Sequence, residues 1–357
     1  MSKYKKNIPY GLHHIDSKDI RAVKKVLKSK FLTQGNKIEE FEKKLNLKFG
    51  SKYSTVTNSA TSALHLSCLA LGLKKGDHLW TSAISFVASS NCGLYCGAKV
   101  DFLDVDKRTN NIDINYLKNK LEKSKKKKTL PKIIVAVHLA GFPCELDKIR
   151  KLSNIYKFKI IEDASHASGS AYKGNSIGNC KYSDIAVFSF HPVKIFTTAE
   201  GGACLTNNKK INDNLKLLRN HGINKNFSKK TMKTRGGWFY DQQYLGLNYR
   251  MNDLQAALGI EQLKKIDFFV KRRNKIAKYY NSHFKNINVE IPQIKNKIKS
   301  SYHLYIIKLK KKNSKFHKKI FEKLRSKGIN VNLHYIPIYK HSYYKKFKFK
   351  KENFPNS

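Results

Sequence analysis

The stretch SFHPVKIFTTAEGG, Ser189–Gly202, places a lysine between two strand-like segments. An apolar run, Asp184–Phe188, precedes it and a second run, Ala203–Thr206, follows it, so we predict Lys194 on a short loop that both strands support. An amine held in this way can lose its proton when it is desolvated, and a neutral amine is the nucleophile of a Schiff-base enzyme. Because the chain contains 72 Lys and Arg residues, the surroundings of Lys194 must decide whether it has this role.

The composition is that of a folded protein. Of the 357 residues, 40% are hydrophobic and 11% aromatic, which excludes a disordered chain and allows roughly two domains. No segment approaches ~18 consecutive apolar residues, so we expect no transmembrane helix and no membrane partner. Residues Met1–Ile8 are charged, and the apolar stretch that a secretory signal requires does not follow them. We therefore expect a cytoplasmic protein.

The formal net charge of +47 raises the question of nucleic-acid binding. However, 63 of the basic residues are Lys and only 9 are Arg, whereas base and phosphate recognition favours the bidentate Arg side chain. The lysines are also spread along the whole chain, and runs such as Lys125–Lys128 are typical of solvated loops. We expect weak, salt-dependent attraction to polyanions and no physiological nucleic-acid partner.

The cysteines form no C-x-x-C pair and have no histidines at metal-ligand spacing. There are six of them: Cys68, Cys92, Cys96, Cys144, Cys180 and Cys204. Because disulfides and structural metal sites need clustered ligands, we predict neither. We expect small buried side chains in a reducing compartment.

Helix-like and strand-like segments alternate between residues 50 and 206. Apolar runs of strand length occur at 78–82, 100–105, 133–137, 158–161 and 185–188. Glu145–Tyr156 has helical spacing, and Ser59–Leu73 is predicted to be a helix capped by Asn58 or Ser59. This alternation predicts an α/β fold with a mostly parallel central sheet, helices on both faces, and ligands at the carboxyl ends of the strands.

The pattern changes after Gly259. A long helix is predicted at Asn252–Phe284, and the following residues are predicted to form a smaller α+β unit. The elements predicted in that unit are a strand at Tyr302–Leu309, a helix at Lys315–Ser326 and a strand at Ile329–Leu333. We therefore expect a large domain over residues 1–259 and a small C-terminal α+β domain over residues 260–357.

Two further segments carry residue types suited to an ionic ligand. In Ile160–His166, Asp163 ends a buried strand, where a cationic partner such as a protonated pyridine nitrogen would stabilise its carboxylate. An Asp that caps the following turn is the alternative.

Thr57–Ala63 begins a helix with small hydroxylated residues, and the free backbone N–H groups at such a helix start suit a phosphate. Any capped helix looks similar in sequence. Ser189 could add a phosphate contact, and Phe86 either stacks on an aromatic ligand or packs in the core.

Taken in chain order, these features resemble the DegT-type, fold-type I aminotransferases, which depend on pyridoxal 5'-phosphate (PLP). The resemblance extends over nearly the whole chain and is most specific in the Lys-x-x-Thr-Thr-x-Glu-Gly-Gly pattern that begins at Lys194. The matching segments are Phe31–Gly35, Asn58–Leu64, Glu162–His166, Ser189–Gly202 and Gly246–Met251. Ile84–Asn91 and Phe190–Lys194 look most like the subgroup that acts in pseudaminic acid biosynthesis. The resemblance implies transamination from L-glutamate to a UDP-linked 4-keto-6-deoxy-N-acetylhexosamine, and a homodimer with shared active sites.

The resemblance also implies roles for individual residues. Lys194 is expected to form the Schiff base with PLP, Asp163 to bind the pyridine nitrogen, and His166 to lie near the oxygen side of the ring. The other residues are expected to bind ligands: Ala60, Thr61 and Ser189 the cofactor phosphate, Phe86 the face of its ring, Asn248 the phosphate in the neighbouring subunit, and His334 and Tyr335 the sugar-nucleotide.

One departure from the family pattern leaves alternatives open. Family members usually continue past the segment that matches Phe354–Ser357 with a further strand and helix, so the small domain is expected to be shortened here. The alternatives are an aminotransferase for a different nucleotide-linked keto-sugar, a sugar dehydratase of the same fold, and an inactive or binding-only homologue. Lys194 argues against the dehydratases, which carry His at that position.

Overall fold

A seven-stranded sheet lies at the centre of the computed structural model, which describes residues 7–225, 227–293, 297–310 and 313–357. Residues Met1–Lys6, on which part of the cytoplasmic prediction depends, lie outside this range. The helices are α1 (Ser17–Leu27), α2 (Asn36–Phe49), α3 (Ala60–Ala70), α4 (Ala88–Tyr95), α5 (Ile114–Lys126), α6 (Leu146–Tyr156), α7 (Lys209–Arg219), α8 (Lys229–Arg235), α9 (Asp253–Leu263), α10 (Ile266–Phe284) and α11 (Ser314–Ser326). The strands are β1 (Tyr53–Thr57), β2 (His78–Ser82), β3 (Lys99–Leu103), β4 (Ile133–Val137), β5 (Lys159–Asp163), β6 (Ala171–Tyr172), β7 (Asn175–Ser176), β8 (Ile185–Ser189), β9 (Gly202–Thr206), β10 (Ile223–Asn224), β11 (Asp241–Gln242), β12 (Val289–Glu290), β13 (Ile298–Lys299) and β14 (Lys308–Leu309).

The strands of the central sheet follow the order β1-β9-β8-β5-β4-β2-β3. From β3 to β8 every neighbouring pair is parallel, whereas β9 runs antiparallel to β8 and β1 antiparallel to β9. Asp163 pairs with Val187, and Ser189 pairs with Gly202. The carboxyl ends of β5 and β8 therefore lie on the same side of the sheet, with Ser189 two residues beyond the partner of Asp163.

Apolar layers cover both faces of this sheet. On β4, Ile134 packs into the layer that contains residues of α2, α5, α6 and α9, whereas Ile133 and Val135 pack into the layer that contains residues of α3, α4 and α7. A strand with helices on both faces has no solvent face, which is why Ile133–Val137 is apolar throughout. The predicted mostly parallel sheet with helices on both faces is confirmed.

The helix predicted at Asn252–Phe284 is in fact two helices, α9 and α10, which are separated at Lys264 and Lys265. At this break, Lys265 Nζ contacts the carboxylates of Asp16 and Asp19 at 2.7 and 2.6 Å. These contacts join α10 to the first helix, and the spacing of apolar residues does not reveal them.

The two strands predicted in the C-terminal region are wrong in extent. Of Tyr302–Leu309, only the last two residues pair as a strand, β14. Arg273 Nη1 donates hydrogen bonds to the carbonyl oxygens of Tyr302 and His303, which a neighbouring strand would otherwise use. Within the described residues, Ile329–Leu333 forms only an isolated bridge between Ile329 and Ile8. The predicted helix is present as α11, and the division into domains at 259/260 stays a prediction.

Within the described ranges, no helix is long and apolar enough to cross a membrane. The same residues contain no group of three or more His, Cys, Asp or Glu side chains that could hold a metal ion. All six cysteines are free thiols, and Cys96 is the one that is partly exposed.

Candidate active site

A cavity of about 490 Å³ opens where β5 and β8 end and α3 begins. The sequence-predicted site residues that line it are Ala60, Thr61, Phe86, Asp163, His166, Ser189, Lys194, His334 and Tyr335. Asn248 lies outside this cavity, with its side chain exposed, on a segment bridged to Asn220. The roles assigned to these residues stay predictions, but the fold brings all of them except Asn248 to one place.

The first turn of α3 forms one wall of the cavity. Ser59 is the N-cap and accepts a hydrogen bond from Ser62 N, which leaves the N–H groups of Ala60 and Thr61 without intrahelical partners. The helix end lies so close to the sheet that a Cβ on Gly202 would come within 2.6 Å of Ala60 N and of the Ser59 backbone. Glycine is therefore required opposite this helix end, whose free N–H groups suit an anion.

Asp163, at the end of β5, is almost fully buried in a polar niche. Its Oδ2 accepts a hydrogen bond from Ser89 Oγ at 2.7 Å, and its Oδ1 accepts one from Ser165 N at 3.2 Å. Ser85 Oγ lies 2.8 Å from Ser89 Oγ and extends the network. These donors stabilise an ionised carboxylate, which can in turn hold a cationic ligand atom facing the cavity.

Lys194 lies on the loop between β8 and β9 and reaches the same cavity. Loss of water around the amine lowers the pKa of Lys194 to about 8, while attraction by the Asp163 carboxylate raises it. A substantial fraction of the amine is therefore neutral near physiological pH. A neutral amine beside a buried carboxylate can add to a carbonyl carbon and can accept a proton.

His166 is neutral in this site. Burial, followed by repulsion from Lys194, His303 and His334, holds the pKa of His166 well below its usual value. Nδ1 accepts a hydrogen bond from Ala140 N at 3.3 Å, so the ring proton is assigned to Nε2. Nε2 lies 3.4 Å from Tyr335 Oη and can donate to it.

The sequence analysis assigned no role to Tyr10 and His303, which line the cavity, or to Ser89, which donates to Asp163. Tyr10 Oη lies 2.6 Å from His334 Nε2, and the two rings stack with their centroids 5.4 Å apart. His303 is buried with its ring centroid 4.3 Å from that of His166, and its Nδ1 has no hydrogen-bond partner among the described residues. No motif marks these residues, because they come from distant parts of the chain.

Phe86 lies at the open side of the cavity, where 58% of its surface is exposed. Its ring centroid is 6.4 Å from that of Tyr335. The core alternative for Phe86 is therefore wrong, since the side chain faces the cavity rather than the apolar layers. An exposed aromatic face at this position suits stacking on a planar ligand.

The DegT/DnrJ/EryC1/StrS aminotransferase family model matches residues 13–357. The UDP-4-amino-4,6-dideoxy-N-acetyl-beta-L-altrosamine transaminase of Campylobacter jejuni subsp. jejuni serotype O:23/36 is 43% identical over 340 residues, which cover 95% of this chain and 86% of that protein. Helicobacter pylori PseC, described as an aminotransferase involved in the biosynthesis of pseudoaminic acid, superposes with a TM-score of 0.87 and 35% identity, covering 97% of this chain and 89% of PseC. A putative sugar aminotransferase from Streptococcus pneumoniae, Spr1654 in its PMP-form, superposes with a TM-score of 0.88 and 28% identity over 98% and 91% of the two chains.

Proposed function

Because the chain belongs to the DegT/DnrJ/EryC1/StrS aminotransferase family, we propose that it transfers the amino group of L-glutamate to the 4-keto carbon of a UDP-linked 4-keto-6-deoxy-N-acetylhexosamine. The chain is a PLP-dependent aminotransferase with the fold-type I architecture. The identity of the sugar and of the amino donor is the proposed part. Its main support is the 43% identity to a transaminase named for a UDP-linked 4-amino sugar.

The residues of the cavity fit PLP. A helix N-terminus with free N–H groups suits the phosphate, and the close approach of α3 to Gly202 shapes the place for it. The buried Asp163 carboxylate suits a protonated ring nitrogen, and Lys194 supplies the amine. Phe86 offers an aromatic face at the open side. We propose that Ala60, Thr61 and Ser189 hold the phosphate, with Asp163 on the nitrogen and Lys194 on the aldehyde carbon.

Bound PLP supplies an electron sink for the charge left when the α-proton of the amino acid is removed. Lys194 Nζ, whose pKa is about 8, can accept that proton and return it. The hydrogen bond from Ser89 fixes the orientation of the Asp163 carboxylate. His166, neutral with its proton on Nε2, donates a hydrogen bond and adds no positive charge beside Lys194.

The observation that carries this proposal is the shared cavity of Lys194 and Asp163, in which the charge of the carboxylate acts on the amine and raises its pKa. Both halves of a transamination need a nucleophilic amine and a carboxylate that binds a cationic nitrogen. Lys194 and Asp163 supply these two groups beyond neighbouring strand ends. We propose a ping-pong order, in which L-glutamate leaves as 2-oxoglutarate before the keto-sugar reacts. His334 and Tyr335, which line the same cavity, would face the sugar-nucleotide in the second half.

We further propose a homodimer in which Asn248 completes the phosphate site of the neighbouring subunit. In a single chain Asn248 is exposed and does not line the active cavity. The preceding segment also exposes large apolar side chains, with Trp238 83% and Leu245 89% exposed. Apolar exposure of this size is typical of a surface that a partner covers.

The free thiols fit a reducing compartment, and we propose that the protein works in the cytoplasm.

The visible absorption spectrum of the protein reconstituted with PLP tests the amino donor and the sugar separately. Addition of L-glutamate is expected to bleach the band of the bound cofactor with release of 2-oxoglutarate, and the UDP-linked keto-sugar is expected to restore the band. Restoration only by a keto-sugar on another nucleotide would overturn the proposed substrate and leave the enzyme class intact. Lys194→Ala is expected to lower turnover by more than about 10³-fold, while Lys209→Ala, on the exposed face of α7, serves as the control.

A further inference from the structure

A histidine and a glutamate form a buried pair that the proposed mechanism does not use. Glu162 directly precedes Asp163 on β5, and because successive side chains of a strand point to opposite faces, its carboxylate lies away from that of Asp163. His138 directly follows β4, and its Nε2 lies 2.9 Å from Glu162 Oε2. Ser183 Oγ donates to the other carboxylate oxygen. Both members of the pair are 2% exposed or less, and a carboxylate buried so deeply needs hydrogen-bond donors.

The His138 ring connects this carboxylate to the loop that leads from β4 to α6. Its Nδ1 accepts a hydrogen bond from Cys144 N at 3.1 Å, so Nε2 carries the proton in the contact with Glu162. The backbone N–H of His138 donates to Asp163 O at 3.1 Å. One buried residue therefore fixes both ends of the loop 138–144 against the end of β5.

Ala140, inside this loop, has a left-handed backbone with a φ of 59°. A residue with a Cβ adopts this conformation only where its surroundings impose it. Asn111 contributes, because its side chain donates to Phe142 O at 2.8 Å and accepts from Leu139 N at 3.1 Å. In this conformation Ala140 N donates to His166 Nδ1 at 3.3 Å. The shape of the loop therefore decides which nitrogen of His166 is free to carry a proton.

We propose that Glu162 is a positioning residue, which acts through His138 to keep His166 in the tautomer that carries its proton on Nε2. The loop transmits the effect, because the His138 ring fixes its ends and Ala140 N–H meets His166 Nδ1. His166 then presents a donor to the cavity, where its Nε2 lies 3.4 Å from Tyr335 Oη, whereas the other tautomer would present an acceptor. The inference rests on the proposed function only for the role of His166 beside the bound cofactor.

NMR of the full-length protein with ¹⁵N-labelled histidines, both loaded with PLP and free of it, tests the tautomer directly. A ring nitrogen that carries a proton resonates far from one with a free lone pair, and the His166 signals are those that His166→Gln removes. Near neutral pH the parent protein is expected to show His166 with its proton on Nε2. A proton on Nδ1 in the unmodified sequence would overturn the proposal without any variant.

Substitutions in the buried pair test its role. Glu162→Leu removes the acceptor for His138 Nε2 and is expected to shift the His166 ring signals, with part of the protons moved to Nδ1. Glu162→Gln is expected to keep the parent signals, because its amide oxygen still accepts from His138 and Ser183 Oγ can accept from the amide N–H. His138→Phe keeps a ring and breaks the same link, so it gives the result if Glu162→Leu fails to fold. Unchanged His166 signals in a folded Glu162→Leu or His138→Phe variant would overturn the proposal.

Glu42→Leu is the matched control. The Glu42 carboxylate is also buried, accepts from Arg219 Nη1 at 2.8 Å and does not line the active cavity. Its loss is expected to lower the unfolding temperature, as the loss of Glu162 does, without changing the His166 signals. Equal shifts of the His166 signals in the two Leu variants would mean a general loss of packing and would contradict the positioning role.

The half-reaction with L-glutamate supplies the kinetic test. In a single turnover of the PLP-loaded protein, Glu162→Leu is expected to bleach the cofactor band about ten-fold more slowly, and Glu162→Gln within about two-fold of the parent rate. The parent rate in Glu162→Leu would overturn the proposal. If the parent protein reacts with another amino donor instead, the proposed function is wrong in its donor, while the tautomer measured in the cofactor-free form still decides the role of Glu162.

Discussion

Ser89 Oγ donates a hydrogen bond to Asp163 Oδ2 over 2.7 Å, and this contact joins α4 to the end of β5 at the floor of the cavity. Ser85 Oγ lies 2.8 Å from Ser89 Oγ, and Ser165 N donates to the other carboxylate oxygen. Asp163 is therefore held in one orientation before any ligand binds. A fixed carboxylate can bind a cationic nitrogen without first losing conformational freedom.

Replacement of Ser89 by Ala is expected to weaken PLP binding about ten-fold, because the Ser89 hydroxyl orients the Asp163 carboxylate that would contact the ligand. The measurement is the dissociation constant of PLP, obtained by titration of the cofactor-free protein. Ser153→Ala is the matched control, since it removes a buried hydroxyl that donates to Phe158 O at 2.6 Å and does not line the cavity. If both variants weaken PLP binding equally, the Ser89 contact has no specific role.

The pKa of Lys194 predicts how its reactivity depends on pH. Burial disfavours the charged amine, so the neutral form dominates above about pH 8 rather than above the ordinary value of 10.5. Acylation of Lys194 in the cofactor-free protein is expected to rise through a midpoint at about 8, as measured by peptide-resolved mass spectrometry. Exposed lysines such as Lys209 provide the comparison and should titrate at higher pH.

Asp163→Asn tests the cause of this pKa. The Asp163 carboxylate raises the pKa of Lys194, so its neutralisation is expected to move the labelling midpoint below 8. A midpoint that does not move would mean that burial alone sets the pKa of the amine.

Gly202→Ala is expected to displace the start of α3, because the new Cβ would come within 2.6 Å of Ala60 N and of the Ser59 backbone. Backbone atoms cannot rotate away as the end of a side chain can, so we expect a loss of about 1–3 kcal/mol in the free energy of unfolding. We also expect weaker PLP binding, measured in the same titration. Gly237→Ala is the control, since nothing lies within 4 Å of a Cβ at that position.

Mixed dimers test the proposed role of Asn248. Lys194→Ala and Asn248→Ala are each expected to be weakly active alone. An equal mixture of the two variants is unfolded and refolded so that mixed dimers form. If Asn248 serves the neighbouring subunit, each mixed dimer has one complete site, and activity should recover to about a quarter of the parent value. Recovery is absent if Asn248 acts within its own subunit, and the molecular mass in solution shows independently whether dimers form.

Much of the fold and of the cavity could be predicted because their determinants are local in sequence. Short apolar runs separated by helical spacing predict parallel strands, and the carboxyl ends of such strands meet at one edge. That rule places Asp163, at the end of β5, near Ser189 and Lys194, although 25 residues or more separate them along the chain. The strand predicted at Tyr302–Leu309 failed because Arg273, on a distant helix, binds its carbonyl oxygens.

The sequence by itself determined the alternation of helices and strands between residues 50 and 206, the family, and the positions of Asp163 at a strand end and Lys194 on a loop, because each depends on neighbouring residues or on a continuous motif. Only the tertiary structure decided which side chains surround them: Ser89 against Asp163, His303 against His166, and Tyr10 against His334. The shift of the Lys194 pKa is likewise tertiary, because desolvation and the field of Asp163 depend on what packs around the amine and not on its place in the chain.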